Sequence, residues 1–489
     1  MDSITVQELV EATGGRLIQG GADEVFAGVS TDSRTIRPGE LFVPLAGERF
    51  DGHRFILKAL GAGGAGFVFG AAGDRPAEER LAELELALPL TVGGRRPFAV
   101  AVPDTLAALH GLAAAYRRRF TLPVVGVTGS VGKTSTKDLI AAVLRTRWRT
   151  VATQGNLNNE IGLPLTVFAL DHSTEAACFE LGMRGLGQIR ALAEIVRPTV
   201  GVVTNVGETH LELLGTRENI ARAKAELIEA LPADGVAVLN ADDPRVAAME
   251  GLGRARVLRY GFLQPGERPS DRRLTVAGEG VGSHGVQGVG FTAVLGERRF
   301  PVRLAVPGVH NAGNALAAFA VGLALGLEPE KIVEGLAQAR LSGMRLEVRR
   351  GSGGFTLIND AYNASPASVR AALNLLVESR AGGAVVAVLG DMRELGEHAE
   401  EAHRQIGAYA AALGVDRLVG VGPLAAHMVR AARVAGLARA EAYDTTAAAA
   451  AALATTLQPA DVVLVKGSRA MHMEDIVHEL TGVEAGTHE

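Results

Sequence analysis

Short apolar runs alternate with helix-like stretches between residue 123 and about residue 320. The runs include "PVVGVTG", "AACFELG", "PTVGVVTNV" and "GVAVLNADD". Continuous apolar strands separated by helical patterns are typical of parallel sheets with crossover helices. We therefore predict a mostly parallel α/β sheet here, with a small antiparallel excursion in the Gly-rich, charged stretch 262–300.

The alternation resumes from about residue 342, in "FTLINDAY", "GAVVAVLGDM", "DRLVGVG" and "DVVLVKGSRA". This pattern predicts a further, doubly wound sheet of the Rossmann-like type. Residues 1–98 instead mix short strands and turns, which predicts a small α/β domain. Because 489 residues exceed what one hydrophobic core supports, we expect an α/β protein of three domains, over residues 1–98, 99–341 and 342–489.

Composition and charge exclude several classes of protein. A net charge of −5 and the lack of a long basic run give no general attraction to nucleic acid or anionic membranes. The single cysteine, Cys178, fits a reducing compartment. The chain begins without the pattern of a signal peptide, and its apolar runs are too short to span a bilayer. We expect a cytoplasmic protein with no nucleic-acid partner and no membrane insertion.

A glycine-rich loop joins the strand "PVVGVTG" to the helix that follows it. Gly126, Gly129 and Gly132 precede Lys133 and Thr134 in this loop. Glycines let backbone N–H groups close around phosphate oxygens, and the positive end of a helix follows them. The spacing, G-x-x-G-x-x-G-K-T, departs from the strict Walker A pattern. The strand, the helix and the lysine still favour triphosphate binding, with Lys133 at the β- and γ-phosphates and the Thr134 hydroxyl on Mg²⁺.

Polar residues follow the next two apolar runs. Glu180 ends "AACFE", and His210 lies in the loop after "PTVGVVTNV". Ligands of α/β sheets bind beyond the carboxyl ends of strands, so we interpret Glu180 as a magnesium ligand rather than a surface carboxylate. The same placement makes His210 a functional candidate, although a lone histidine is more often structural. Lys224, on the following helix, has the pattern of an ordinary exposed lysine.

Two asparagines, Asn311 and Asn314, lie three positions apart at the start of a predicted helix. Residues at this spacing share one helix face, where their amides could read the edge of an adenine. An asparagine at a helix start can equally cap the first N–H groups. The sequence leaves both interpretations of Asn311 open.

These motifs, in this order, resemble those of the Mur ligase family, whose members join a carboxylate to an amine using ATP. The matching stretches are "GVTGSVGKTSTK", "TQGNLNNEIGLPLT", "FELGMRG", "TNVGETHLE" with Lys224, "PGVHNAGNALAA", "MRLE", "LINDAYNASPASV" and "VKGSRAMHME". Within the family, "TDSR", "GSVGKTSTK", "DAYNASP" and "LGDMRELG" are similar to the members that add D-alanyl-D-alanine to UDP-N-acetylmuramoyl-tripeptide. The "DNPR" motif of the diaminopimelate-adding members is absent.

The resemblance implies a site for ATP and two Mg²⁺ ions. The implied ATP-binding residues are Gly129, Ser130, Gly132, Lys133, Thr134, Ser135, Asn311, Asn314, Arg345 and Asp360. The implied metal-binding residues are Thr134, Glu180, His210 and Lys224. Lys224 resembles the family's carbamylated lysine, in which CO₂ turns an amine into a carboxylate-like anion. The residues implied in catalysis are Lys133, Glu180, His210 and Lys224.

The resemblance also implies where the two other substrates bind. The residues for the UDP-N-acetylmuramoyl-tripeptide are Asp32, Ser33 and Arg34 at its UDP part and Asn159 at its muramoyl part. Those that would shape the dipeptide pocket are Tyr362, Asn363 and Ser365, and those that would meet anionic groups of bound substrate are Lys466 and Arg469. A monomer is expected.

The implied reaction begins with attack of the substrate carboxylate on the γ-phosphate of ATP, which makes an acyl phosphate. The amine of D-alanyl-D-alanine then attacks, and phosphate leaves, while cations and Lys133 offset the developing charge. The base that deprotonates the amine stays open between Asp360 and His210. The third residue of the peptide, lysine or diaminopimelate, stays open as well.

Other functions compete with this one. A related ligase would add a single amino acid or extend a folate with glutamate. A switch GTPase would need a base-reading N-K-x-D motif, and "NADD" at 240–243 lacks the lysine. A non-catalytic scaffold would have no need of the set Lys133, Thr134, Glu180, His210 and Lys224.

Overall fold

The computed structural model describes residues 1–47, 50–70, 79, 96–207 and 209–482. Contacts between Cα atoms divide the chain into two compact units. Unit 1 comprises Met1–Gly126, Trp148–Gly182 and Gln188–Pro198, and unit 2 comprises Val127–Arg147, Met183–Gly187 and Thr199–Glu489.

The first part of unit 1 mixes short strands and helices, as the sequence predicts. Its elements are β1 (Ile4–Thr5), α1 (Val6–Thr13), β2 (Arg16–Gln19), β3 (Val25–Phe26), β4 (Val29–Ser30), β5 (Leu41–Phe42), β6 (Ala46–Gly47), β7 (Phe50–Asp51), a 3₁₀ turn (Gly52–Phe55), α2 (Ile56–Gly61), β8 (Gly66–Gly70), β9 (Phe98–Val102) and α3 (Thr105–Arg117). Five strands form a sheet of order β2-β9-β8-β5-β4, beside the pairs β1-β3 and β6-β7. Helix α3 begins directly after Asp104, whose Oδ1 accepts the Ala107 N–H at 2.6 Å and caps the helix.

The central stretch alternates strands and helices. Its elements are β10 (Val124–Thr128), α4 (Lys133–Arg145), β11 (Thr150–Ala152), α5 (Gly162–Val167), β12 (Ala176–Glu180), α6 (Gln188–Val196), β13 (Val200–Val203), α7 (Leu211–Leu214), α8 (Arg217–Glu229), β14 (Val236–Asn240), α9 (Pro244–Ala247), β15 (Arg256–Phe262), a 3₁₀ turn (Pro269–Arg272), β16 (Val276–Ser283), a 3₁₀ turn (Gly285–Gln287), β17 (Val289–Leu295), β18 (Arg298–Leu304), α10 (His310–Ala324) and α11 (Pro329–Ala337). Apolar runs became strands because both of their faces are buried.

The central strands pair mostly in parallel. In unit 1, β11 and β12 are neighbours and run parallel. Inside β12, Cys178 is fully buried. In unit 2, β13, β14, β15 and β16 run parallel in that order, and β17 and β18 continue the sheet antiparallel. The predicted antiparallel excursion in 262–300 is therefore confirmed.

The last part of unit 2 is a second α/β layer. Its elements are β19 (Glu347–Arg350), β20 (Thr356–Asp360), α12 (Pro366–Glu378), β21 (Val385–Gly390), a 3₁₀ turn (Gly396–His398), α13 (Ala399–Ala412), β22 (Arg417–Val421), α14 (Ala425–Val434), β23 (Ala440–Tyr443), α15 (Thr446–Ala454), β24 (Val462–Lys466), a 3₁₀ turn (Arg469–Met471) and α16 (Glu474–Thr481). The strand order is β19-β20-β24-β21-β22-β23, parallel except for β19. Two hydrophobic clusters form its core.

This second layer has a topological switch point. Strand β24, the last in the sequence, lies between β20 and β21. Ligands of doubly wound sheets bind beyond the carboxyl ends of strands at such a point. Those ends carry Asp360 on β20 and Lys466 on β24.

The predicted α/β class is confirmed by these sheets. The boundaries between three domains stay predictions, and the one at residue 98 falls on the first residue of β9. Among the residues that the structure describes, no helix is both long enough and apolar enough to pass through a membrane.

Candidate active site

The loop after β10 contains two glycines whose backbone conformations favour glycine. Gly129 has a φ of 153° and Gly132 a φ of 82°. A Cβ atom on Gly129 would lie 1.8 Å from Thr204 Oγ1, and one on Gly132 would lie 2.7 Å from Asn314 Oδ1. Backbone alone therefore fits at these two positions, as a phosphate cradle requires.

The segment after β13 braces this loop. The Ser130 N–H donates to Asn205 O at 3.0 Å, and the Val131 N–H donates to Asn205 Oδ1 at 2.9 Å. In return, Thr204 Oγ1 and Asn205 Nδ2 each donate to Val131 O at 2.8 Å. The Gly207 N–H donates to Ser130 Oγ at 2.9 Å. These bonds give the loop a defined shape before any ligand binds.

Helix α4 begins at Lys133, so its positive end faces the loop. Lys133 Nζ donates to Gly129 O at 2.8 Å, which holds the ammonium group over the loop. Thr134, in the first turn, is buried, and Ser135 beside it is half-buried. A phosphate at this helix start would meet the helix dipole and the ammonium group together.

His210 lies in a crowded, positively charged environment. Burial, together with the nearby positive charges of Lys133, Lys224 and Arg184, lowers its pKa to about 4. The imidazole is therefore neutral near pH 7. Its backbone φ is 67°, which is uncommon outside glycine. A strained residue with a shifted pKa is typical of a functional site.

Lys224 is buried on α8, with 2% of its surface exposed. The sequence pattern suggested an exposed lysine, and that interpretation is wrong. Burial, helped by the charge of Lys133, lowers the pKa of Lys224 well below its usual value. A buried lysine of this kind favours the neutral amine, which is a nucleophile.

Glu180, in unit 1, ends β12 and is buried. Its Oε1 accepts a hydrogen bond from Asn158 Nδ2 at 2.8 Å, and its N–H donates to Thr153 Oγ1 at 3.0 Å. The side chain of the neighbouring Asn159 makes a different hydrogen bond: its Oδ1 accepts the Gly162 N–H at 2.8 Å at the start of α5. The proposed substrate role of Asn159 stays a prediction.

Asn311 and Asn314 join α10 to the phosphate-loop helix. Asn314 Nδ2 donates to Asn311 Oδ1 at 2.8 Å, and Asn314 Oδ1 accepts from Thr136 Oγ1 at 3.1 Å. Asn311 Nδ2 donates to Pro307 O at 2.7 Å. The helix begins one residue earlier without a side-chain cap, so the capping interpretation of Asn311 is wrong. Contact with adenine stays a prediction for both residues.

Four predicted residues of the last α/β layer are brought together in two pairs. The Arg345 guanidinium lies 3.9 Å from the centre of the Tyr362 ring, a cation–π contact. Lys466 Nζ donates to Asp360 Oδ2 at 2.5 Å and to Asn363 O at 2.8 Å. The predicted contacts of Asp360 with ribose and of Lys466 with substrate anions would have to share or replace this ion pair.

Three more predicted residues have local partners. Asn363 Oδ1 accepts the Ala364 N–H at 2.8 Å, and Ser365 caps α12 through the Ser368 N–H. Arg469 Nη1 donates to Glu474 Oε1 at 2.5 Å, and its side chain remains 53% exposed. Their substrate contacts stay predictions.

The "TDSR" residues form a small charged turn in unit 1. Asp32 accepts the Arg34 N–H at 2.9 Å and the Arg34 guanidinium at 2.7 Å. These hydrogen bonds lower the pKa of Asp32 to about 2. Ser33 is buried, while Arg34 extends into solvent. An exposed arginine oriented by a carboxylate suits the predicted contact with a diphosphate.

The side chains of this site fit a Mg²⁺ ion that takes some of its ligands from the protein and the others from the substrate. In the described part of the chain, no three His, Cys, Asp or Glu side chains converge as a metal cluster. Mg²⁺ is usually held by one or two carboxylates and by substrate phosphates. His210 Nδ1 is buried without a hydrogen-bond partner among the described residues, and Glu394 Oε2 lies 3.4 Å from it. A neutral ring with an unused nitrogen fits a metal ligand.

Replacing Gly129 by alanine is expected to weaken ATP binding at least roughly tenfold, because the added Cβ would displace Thr204. Calorimetric titration with ATP would measure this. Gly326→Ala is the matched control, since Gly326 also has positive φ but its Cβ would meet nothing within 4 Å. Equal affinity of Gly129→Ala and the natural protein would contradict the close packing of the loop.

Several residues of this site were not predicted from the sequence. Asn158 holds Glu180, and Thr204 and Asn205 brace the loop. Glu394 approaches His210 from the "LGDMRELG" stretch. All four residues lie inside the motifs quoted above, so the motifs indicate the right segments of the chain. Within those segments, residue type and spacing do not distinguish these four positions from their neighbours.

Comparisons with known proteins show the family to which the chain is similar. Family models match three stretches: the Mur ligase family catalytic domain over residues 25–92, the Mur ligase middle domain over 127–322, and the Mur ligase glutamate ligase domain over 344–469. A Bacillus subtilis protein named UDP-N-acetylmuramoyl-tripeptide–D-alanyl-D-alanine ligase is 37% identical over 482 residues, covering 97% of this chain and 98% of that protein.

Solved structures give the same result. A crystal structure of MurF from Acinetobacter baumannii matches with a TM-score of 0.85 at 31% identity and covers 99% of each chain. The MurF ligase from Thermotoga maritima, solved in complex with ADP, matches with a TM-score of 0.75 at 27% identity, covering 93% of this chain and 97% of that one. With relatives of this similarity over nearly its whole length, the chain belongs to the Mur ligase family.

Proposed function

We propose that this chain is an ATP-dependent ligase that adds D-alanyl-D-alanine to UDP-N-acetylmuramoyl-tripeptide and forms the pentapeptide precursor of peptidoglycan. The observation that carries the proposal is the position of the phosphate-loop lysine Lys133, whose positive charge lowers the pKa of both His210 and the buried Lys224. The acceptor is taken from the relative named above, which is similar over 97% of the chain.

The nucleotide would bind on the loop of Gly129 to Gly132. Lys133 would pair with the β- and γ-phosphates, and the start of α4 would add its dipole. Asn314 lies against Gly132, which supports the proposal that it contacts the bound nucleotide. Arg345 would contact the phosphates and Asp360 the ribose.

Thr134, Glu180, His210 and Lys224 would hold two Mg²⁺ ions, which supply Lewis-acid stabilisation of phosphate charge. Lys224 would take part as a carbamate. Its low pKa favours the neutral amine, whose nitrogen would attack CO₂ and lose a proton to leave an anion. That anion would be stabilised by the nearby positive charge of Lys133.

The peptide bond would form in two steps. The substrate carboxylate attacks the γ-phosphorus and displaces ADP, giving an acyl phosphate. The amine of the dipeptide, after losing a proton, attacks the acyl carbon and displaces phosphate. Lys133 would stabilise the charge that builds on the transferred phosphoryl group.

The other two substrates would bind at separate sets of residues. Arg34, oriented by Asp32, would receive the UDP part, with Ser33 beside it, and Asn159 the muramoyl part. Tyr362, Asn363 and Ser365 would shape the dipeptide pocket, near the cations Lys466 and Arg469. In this proposal, three domains of one cytoplasmic monomer bind the nucleotide and the two other substrates.

The experiment measures the phosphate that is released from ATP in the presence of Mg²⁺ and UDP-N-acetylmuramoyl-tripeptide. Parallel reactions contain D-alanyl-D-alanine, D-alanine, or L-lysine as the amine. We expect release only with the dipeptide, together with a pentapeptide product identified by mass.

Two outcomes would contradict the proposal. Release with a single amino acid alone would keep the family and change the acceptor. No release with any amine, although ATP binds, would indicate a nucleotide-binding protein without ligase activity.

A further inference from the structure

A buried ion pair on the phosphate-loop helix faces the linker that leads to the last α/β layer. Lys137 and Asp138 lie on α4, with 2% and 9% of their surfaces exposed, and their side chains are in direct contact. Neither residue belongs to the phosphate loop. Two adjacent charged residues buried in a helix are unusual, because burial of charge is unfavourable without compensating partners.

Asp138 is bound to the linker by two hydrogen bonds. The Ser342 N–H donates to Asp138 Oδ2 at 2.7 Å, and Ser342 Oγ donates to Asp138 Oδ1 at 3.1 Å. Hydrogen bonds to an ionised carboxylate are stronger than those between neutral groups. Ser342 is therefore attached to α4 through both its backbone and its side chain.

The same linker is attached on its other side to the last α/β layer. The Tyr362 N–H donates to Met344 O at 3.2 Å, and the Leu346 N–H donates to Asp360 Oδ1 at 3.2 Å. Met344 and Leu346 have φ angles of 60° and 51°. Because non-glycine residues rarely adopt such angles, the surrounding contacts must impose this path.

Arg345 lies between those two residues. Its guanidinium packs on the Tyr362 ring, and its Nε is buried without a hydrogen-bond partner in the described part of the chain. The location of Arg345 is therefore set by a short segment of backbone that is hydrogen-bonded at Ser342, Met344 and Leu346. One end of that segment is Ser342, which is hydrogen-bonded to Asp138.

We propose that Asp138 is a positioning residue, which sets the distance between the phosphate loop and Arg345 by holding Ser342 on helix α4. Thr134 and Asp138 are one helical turn apart, about 6 Å along the axis. The helix that would hold the triphosphate thus also fixes the linker that carries Arg345. The inference rests on the proposed function, because it takes Arg345 as a phosphate contact.

A double-mutant cycle in the full-length protein tests the proposal. The variants are Asp138→Asn, Arg345→Ala and the double variant. Asparagine keeps the size of aspartate but has a single acceptor oxygen, so it cannot at once accept the Ser342 N–H on one side and the Lys137 ammonium group on the other. Calorimetry measures the Kd of a non-hydrolysable ATP analogue with Mg²⁺, and ligation assays separate the KM for ATP from kcat.

We expect Asp138→Asn to weaken analogue binding roughly tenfold and to raise the KM for ATP by a similar factor. In the Arg345→Ala background, the same change should have less than about a twofold effect, because its target is gone. A purely structural Asp138 would weaken binding by the same factor in both backgrounds.

Asp461→Asn is the matched control. Asp461 is also buried and accepts two backbone N–H bonds at 2.8 Å, from Ala384 and Gln458, at the start of β24. We expect it to lower the melting temperature without changing the Kd of the analogue. An equal loss of affinity in Asp461→Asn and Asp138→Asn would overturn the proposal.

Further outcomes separate this inference from the function on which it rests. Unchanged analogue binding in Asp138→Asn, with weak binding in Arg345→Ala, would overturn the positioning role alone. Natural affinity in Arg345→Ala would overturn both the phosphate contact of Arg345 and the positioning role. The requirement of the natural protein for D-alanyl-D-alanine tests the ligase function separately.

Discussion

Replacing Lys224 by alanine is expected to lower kcat roughly a thousandfold, the scale observed when a key electrostatic group is removed from an active site. Lys224 is fully buried on α8, and its low pKa prepares a neutral amine for CO₂. Alanine would remove the proposed carbamate anion and with it one of the proposed ligands of a metal ion. Steady-state rates of phosphate release would measure the change.

The carbamate itself gives this prediction a second readout. Native mass spectrometry at high bicarbonate should detect one added CO₂ in the natural protein and none in Lys224→Ala. Acetate or another short carboxylate, placed in the vacated space, should restore part of kcat. Lys331→Ala is the control, because Lys331 is exposed and pairs only with its helix neighbour Glu334 in the described contacts. Full activity of Lys224→Ala would exclude the carbamate role.

The second large effect is expected at Lys133. Replacing it by alanine should lower kcat/KM for ATP by about a thousandfold, because its ammonium group lies over the loop and would offset charge on the transferred phosphoryl group. The loop should keep its shape in this variant, since Thr204, Asn205 and Gly207 brace it independently of Lys133.

This independence allows a sharp comparison. The melting temperature of Lys133→Ala without ligand should stay close to that of the natural protein, while its stabilisation by ATP should be lost. Lys133→Arg should recover the charge but not the compact ammonium geometry, and should remain slow. A variant that lacks Lys133 yet turns over at the natural rate would show that another cation performs this task.

Much of the fold could be predicted because it depends on local patterns. The predicted apolar runs form β10, β12, β13 and β14, and Asp104 caps α3 by the usual side-chain hydrogen bond. Periodicity and capping act among residues a few positions apart, so one sequence is enough to reveal them.

The buried charges could not be predicted in the same way. Sequence patterns assign lysine and aspartate to the surface, which is correct for most of them. Lys224 and Asp138 are exceptions, and Asp138 is compensated by Ser342, 204 positions away in the sequence. Such a partner becomes visible only when the chain is folded.

Neighbouring residues of the same type present a similar limit. The stretch "GNLNNEIG" contains Asn158 and Asn159 side by side. Asn158 donates a hydrogen bond to Glu180, whereas Asn159 accepts one from the Gly162 N–H at the start of α5. The two residues are of the same type and adjacent in the same motif, so the sequence does not distinguish them. The path of the folded backbone decides which carboxylate or N–H group each side chain can reach.

The burial of Cys178 inside β12 has a practical consequence. It is the chain's sole cysteine and is fully shielded from solvent, and buried thiols react slowly with alkylating reagents. The natural sequence is therefore a ready background for single-site labelling. A cysteine introduced at Val434, which is 90% exposed on α14, would accept a fluorophore selectively and report motion of the last α/β layer during turnover.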